Sequence, residues 1–151
     1  MRTIKQELEA CENYIYLINT IYSDSVDYEV KVHDNSVYEC LICSHLLQPL
    51  LENSIKHGIR QKTDMSGKIT VQVGKTEQGD IYFKITDDGV GVDPEVAAHL
   101  NSGLVSAVPS GPLGFSNVNR RIKTLYGEQY GAEILLVDDK TVVVLTIPAE
   151  R

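Results

Sequence analysis

The sequence predicts an α+β two-layer sandwich, a mostly antiparallel mixed sheet covered by helices on one face. Three observations predict it. Strand patterns come in consecutive pairs rather than as single strands each followed by a helix, which favours hairpins over parallel crossovers. The helical patterns carry apolar residues along a single stripe, so each helix buries one face. The chain has 151 residues and 42% hydrophobic content, enough for one domain with a real core.

The first element spans residues 3–22. Ile4, Leu8, Cys11, Ile15, Ile18 and Tyr22 recur at alternating spacings of four and three, a heptad-like seam. It is too short for a lasting coiled coil, so packing against the domain's own body is expected. If the protein continues upstream, a helical stalk would enter here. A polar turn at 23–27 leads to Tyr28, Val30 and Val32, which alternate with polar residues as a half-buried strand. Asp34-Asn35-Ser36 is turn chemistry. Residues 37–42 read as a short second strand, in preference to a capping box between Ser36 and Glu39.

A helix then starts near Ser44, with Pro49 in its first turns. Leu47, Leu50, Leu51 and Ile55 make its apolar face. Asn53, Lys56 and His57 share another face, and Gly58 reads as a C-cap. Residues 60–68 are a charged loop. Runs at 69–73 and 81–86 alternate as strands around a Glu77-Gln78-Gly79-Asp80 hairpin. Asp93-Pro94 opens a short helix through Leu100. Residues 101–112, rich in Gly, Ser and Pro, read as a mobile loop. Phe115, Val118, Ile122 and Leu125 mark another helix, ended by Gly127. Strands at 132–137 and 141–147 close the chain around Asp138-Asp139-Lys140.

A net charge of −7 argues against a broad nucleic-acid surface, which needs a basic footprint, but leaves room for one nucleotide held by a few donors and a metal. Cys11, Cys40 and Cys43 are odd in number and lack zinc spacing, as expected of reduced thiols in a cytoplasmic domain. No apolar run reaches membrane-spanning length and no signal peptide is visible.

Three stretches can carry chemistry. Asn53 offers a neutral oxygen to Mg²⁺, Lys56 a point charge to phosphate, and His57 a ring donor. Asp87-Asp88-Gly89-Val90-Gly91 ends a strand; its carboxylate can accept from an exocyclic amine, and its glycines let backbone approach a flat ligand. Gly111-Pro112-Leu113-Gly114-Phe115-Ser116-Asn117 runs into a helix N-terminus, which attracts anions. Each has an ordinary reading when taken alone: a solvated helix face, an acidic turn, a loop-to-helix junction. There is no GxxxxGK[ST], so this is not a P-loop.

Together, in this order, the stretches resemble the Bergerat-fold (GHKL, HATPase) ATPases, most closely the catalytic domains of sensor histidine kinases of the LytS/YesM type. The run from Gln48 to Gly58 resembles that branch's N box nearly throughout, and Asp87 to Gly91 its G1 box, with Asp88 in place of Asn. Gly114, Asn117, Val118, Arg121, Ile122, Tyr126 and Gly127 follow its G2 box and helix; Pro112 and Phe115 depart from it. Glu7-Leu8, Tyr14 and the closing Thr141 to Pro148 also look like the family, so the resemblance covers essentially the whole chain.

The resemblance implies ATP and Mg²⁺ as cofactors. It implies Asn53 as the metal ligand, Lys56 and His57 facing phosphate or ribose, and Asp87 accepting from the adenine amino group. Gly89 and Gly91 would line the base pocket. Residues 92–113 would form the ATP lid, and Gly114, Phe115 and Asn117 would stand at the nucleotide, with Glu52 assisting proton removal. None of His33, His45, His57 and His99 has the context of a phosphoacceptor. The implied organisation is therefore a helix, residues 1–22, continuing from a missing dimerisation and phosphoacceptor segment, and an ATP-binding catalytic domain, residues 23–151. Such a domain belongs to a protein-histidine kinase in a two-component system, is not expected to autophosphorylate alone, and acts indirectly on a response regulator. It would be the cytoplasmic part of a membrane-bound sensor. Two other readings are a stand-alone switch or anti-sigma-type kinase of the same fold, and a nucleotide-free interaction module.

Overall fold

The chain opens with a two-residue strand, β1 (Arg2–Thr3), and a long helix, α1 (Ile4–Ile21). In this computed structural model the described residues are 1–21, 25–59, 62, 66–91, 94–101 and 113–150. The heptad-like seam is spent inside the domain: Ile4, Leu8, Cys11, Ile15 and Ile18 are all buried in its core. Tyr22 lies outside the described residues.

The next strand, β2 (Ser25–Val32), is followed by a 3₁₀ turn over Asn35–Glu39 and a two-residue strand, β3 (Leu41–Ile42), which pairs antiparallel with β1. The short strand expected at 37–42 is thus a strand only at its last two residues, and it pairs with β1 rather than β2. Asp34 accepts the Ser36 N–H at 2.9 Å and caps the turn, and Val37 is fully buried under it, so the chain turns away from β2.

The helix expected from Ser44 begins only at Gln48. It runs as α2 (Gln48–Asn53) and continues as a π turn over Ser54–Gly58. Gly58 is therefore not a C-cap: Ile59 follows it with helical φ and ψ of −67° and −44°.

Strand β4 (Ser66–Lys75) and strand β5 (Ile81–Asp87) form the expected hairpin. Two helices follow, α3 (Pro94–Asn101) and α4 (Leu113–Tyr126). α4 ends as expected, with Gly127 donating its N–H to the Lys123 carbonyl at 3.0 Å, although Leu125 is exposed. Asp93, most of the loop at 101–112 with Pro112, and so most of the expected lid, lie outside the described residues. The last hairpin, β6 (Gly131–Val137) and β7 (Lys140–Ile147), turns through Asp138 and Asp139 at φ of 51° and 63°, the two left-handed residues of a tight hairpin turn.

Among the described residues the main sheet has five strands in the order β2-β4-β5-β7-β6. Every pairing is antiparallel except β2 with β4, whose connection carries α2. The fold is thus the expected α+β sandwich with a mixed sheet. Ile69, Val71 and Val73 on β4, Ile81, Phe83 and Ile85 on β5, and Val143, Leu145 and Ile147 on β7 are buried on the face the helices cover. Asparagines satisfy part of each edge strand. Asn19 of α1 makes a double hydrogen bond with Val26 on β2, and Asn101 of α3 does the same with Ile134 on β6. Asn119 of α4 accepts the N–H of Ala132. Edge groups satisfied in this way are not open to a further strand.

Candidate nucleotide site

Period-two alternation carries the inward face of β5 from Ile81, Phe83 and Ile85 to Asp87, and that of β7 from Ile147, Leu145 and Val143 to Thr141. Asp87 and Thr141 are register partners across the two strands. The sheet thus ends its apolar stripe in a carboxylate beside a hydroxyl. Asp87 is 3% exposed and Thr141 6%.

The Asp87 carboxylate accepts the Gly89 N–H at 3.0 Å and a hydrogen bond from the Ser54 side chain. Burial still dominates and pushes its pKa above the ordinary carboxylate range, with the neighbouring Asp88 adding to the rise. Asp88 itself accepts the Lys68 N–H at 2.8 Å and so ties the strand end to β4.

One cavity joins these groups to the N-box helix. Asn53, His57, Gly58, Asp87, Gly91 and Thr141 stand in its wall with Phe115 from α4. Two polar atoms there are buried without a hydrogen-bond partner among the described residues, Asn53 Nδ2 and Thr141 Oγ1. Unpaired buried polar groups cost free energy, so a cavity holding two of them beside a buried carboxylate is built for a polar ligand. The His57 ring has its pKa lowered, chiefly by burial and then by the Lys56 charge, so at neutral pH it presents one donor and one acceptor.

The expected site residues divide. Asn53, His57, Asp87, Gly91 and Phe115 come together at the cavity. Lys56 and Glu52 do not line it. The wider i→i+5 turn shifts the face that 3.6-residue spacing predicts, leaving Lys56 exposed, and exposed Glu52 accepts a hydrogen bond from Gln48. Gly89 does not line it either; it stands against the backbone of Gly58, whose carbonyl accepts the Val90 N–H at 3.3 Å. Gly114 lies in the first turn of α4, and Asn117 is exposed on that helix. Thr141 was absent from the expected set. Its signal was available, since inward alternation along β7 places a polar residue at the end of an apolar series.

Residues 41–151 match the family described as histidine kinase-, DNA gyrase B- and HSP90-like ATPase. The chain belongs to this family. Among relatives, it is 33% identical over 151 residues to the sensor histidine kinase YpdA of Escherichia coli, covering 98% of this chain and 25% of that protein. It is 26% identical over 146 residues to the sensor protein LytS of Staphylococcus saprophyticus, covering 97% of this chain and 24% of that one. The ATPase domain thus spans about a quarter of the length of these curated relatives. In fold it is similar to the catalytic domain of histidine kinase ThkA, with a TM-score of 0.70, 13% identity and 96% of both chains covered. A ThkA structure in complex with the response regulator protein TrrA matches at a TM-score of 0.68 and 14% identity, over 97% of this chain and 40% of that one. Among the described residues no helix is long and apolar enough to cross a membrane.

Family membership implies ATP as the ligand, and the orphaned groups then have a use. Thr141→Val removes the unpaired hydroxyl with little change of shape. ATP affinity is expected to fall about tenfold, the worth of one buried hydrogen bond, with no loss of folding stability. Calorimetric titration beside urea denaturation separates the two effects.

Proposed function

We propose that this chain is the ATP-binding catalytic portion of a sensor histidine kinase. It binds Mg-ATP and donates the γ-phosphate to a histidine on a dimerisation segment of the same full-length kinase, from which a response regulator is served. In this reading α1 continues from that upstream segment, and the domain is the cytoplasmic part of a membrane-bound sensor.

The observation that carries the reading is the buried Asp87 carboxylate sharing one cavity with two polar atoms that have no partner among the described residues, Asn53 Nδ2 and Thr141 Oγ1. Asp87 accepts from the adenine amino group and Thr141 supports that end of the base. The Asn53 Oδ1 would ligate Mg²⁺, which takes few protein ligands and leaves the rest to phosphate and water, and its Nδ2 would donate to a phosphate oxygen. Bound Mg²⁺ supplies charge neutralisation at the phosphates, where transfer depends on positioning and electrostatics. Neutral His57 contributes a ring donor to phosphate or ribose. Glu52, exposed and one residue before Asn53, takes the proton of an incoming imidazole in this reading.

Calorimetric titration with ATP, with and without Mg²⁺, tests this on the chain and on Asn53→Ala. Magnesium is expected to strengthen binding, and Asn53→Ala to lose about tenfold or more in the Mg²⁺-dependent part only. Failure of the folded protein to bind ATP in either condition would sink the proposal.

A further inference from the structure

Residues 43–47, between β3 and α2, form a strap whose backbone is held by side chains from two other helices. Cys43 donates its N–H to the Tyr126 hydroxyl at 3.2 Å. Arg121 of α4 donates Nη2 to the Ser44 carbonyl at 2.9 Å and Nη1 to the His45 carbonyl at 3.0 Å. From the other side, Glu7 of α1 accepts three backbone N–H groups: His45 at 3.2 Å, Leu46 at 3.0 Å and Leu47 at 3.1 Å. Glu7 is 0% exposed, and the Arg2 guanidinium donates Nε to the same carboxylate at 2.8 Å.

The physics of this cluster is specific. A helix N-terminus leaves N–H groups unpaired and carries positive potential, which a carboxylate satisfies. The helix beginning at Gln48 has no side-chain cap of its own; its N-terminal residue, Leu47, cannot supply one. Glu7 of α1, about forty residues away in sequence, instead takes the N–H of Leu47 and of the two residues before it. Between the two clamps His45 is held at φ 64°, a left-handed conformation that persists in a non-glycine residue only where its surroundings over-determine it. The strap leads directly into the helix whose next turns present Asn53 and His57 to the cavity. Arg121 ties it to α4, which brings Phe115 to the same cavity.

We propose that Glu7 and Arg121 are positioning residues for the nucleotide site, and that α1 acts through the strap on the placement of Asn53. The position of α1 then sets the affinity for the metal-nucleotide complex, and by reciprocity the bound complex restrains α1. This rests on the nucleotide reading above and assigns a route by which a segment joined to α1 would reach the site.

The test measures ADP affinity with and without Mg²⁺ for the wild-type chain and Glu7→Gln, with Gly79→Ala, in the β4–β5 turn and so off both α1 and the strap, as a stability control. The glutamine turns a donor toward N–H groups that need an acceptor. Glu7→Gln is expected to weaken Mg-ADP binding about tenfold while metal-free ADP stays within about twofold of wild type. Gly79→Ala is expected to lose stability and keep the full Mg²⁺-dependent gain. An unchanged gain in Glu7→Gln, or an equal loss in Gly79→Ala, overturns the proposal. Should Glu7→Gln fail to fold, Arg121→Lys keeps the charge and loses the two-pronged grip, and the same loss or its absence decides. A folded wild-type chain that binds no ADP would defeat the nucleotide reading itself. One that binds with a magnesium gain that both variants retain would defeat only the coupling.

Discussion

Asp87→Asn is expected to weaken adenine-nucleotide binding by about 100-fold or more while leaving the fold at least as stable as before. The two halves follow from one geometry. The carboxylate lies at the inward end of an apolar series, and one of its oxygens already accepts the Gly89 N–H. An asparagine must keep its carbonyl oxygen toward that N–H. Its NH₂ then takes the other position and presents a donor where the adenine amino group, also a donor, would lie. Stability moves the other way because burial raises the folded-state pKa of Asp87 above the ordinary aspartate value of 3.8. A group raised in this way contributes stability that is fully present below its unfolded pKa and is lost as pH rises through the folded value. The variant has no titrating group at this position. Urea denaturation in a pH series should therefore show the stability difference, variant minus wild type, growing as pH climbs from 3.8 through the raised value. Calorimetry at neutral pH reads the binding loss. Retained affinity in Asp87→Asn would remove adenine from this carboxylate.

What was legible in the sequence follows the range of the interactions. Strands β4 and β5 were readable from period-two alternation, and β6 and β7 as apolar runs around a tight turn, all of them local signals. So was Asp87, a carboxylate on the core-facing side of such a run. The parallel pairing of β2 with β4 was not readable, because register partners such as Tyr28 and Ile69 are far apart in sequence and nothing local selects them. The N-box helix was readable as an element but not in its winding. A π turn over Ser54–Gly58 changes which side chains share a face, so His57 reached the cavity and Lys56 did not. Glu7 is the instructive case. It sits between Ile4 and Cys11 at spacings of three and four, inside the apolar seam. A carboxylate on that stripe had to find buried partners, and the partners were the N–H groups of the strap just before the next helix. The misplacement was visible in the sequence, whereas the partners required the fold.

Gly89→Ala is expected to be the most damaging single methyl in the described part of this domain. A Cβ at Gly89 would lie 2.4 Å from the carbonyl carbon of Gly58 and 2.5 Å from its Cα. Both are backbone atoms, so no side chain can rotate aside and the strand end must lift from the helix end. Overpacking of this kind costs about 3 kcal/mol, with the Tm falling by about 10 °C. The same displacement should carry away nucleotide binding, since Asp87 lies two residues before Gly89 and already closes on Gly58, where an added Cβ would meet its Oδ1 at 3.0 Å. Gly79→Ala is the informative contrast. Gly79 has a φ of 86° but open space where the methyl would go, so only backbone strain of about 1 kcal/mol is expected. Thermal denaturation and ATP titration of the two variants would rank space against conformation. If Gly89→Ala proved no less stable than Gly79→Ala, the close apposition of Gly58 and Gly89 would not be what holds Asp87 in place. If it lost stability and kept ATP affinity, Asp87 would be held by Ser54 and its own strand, and the helix end would matter only to the fold.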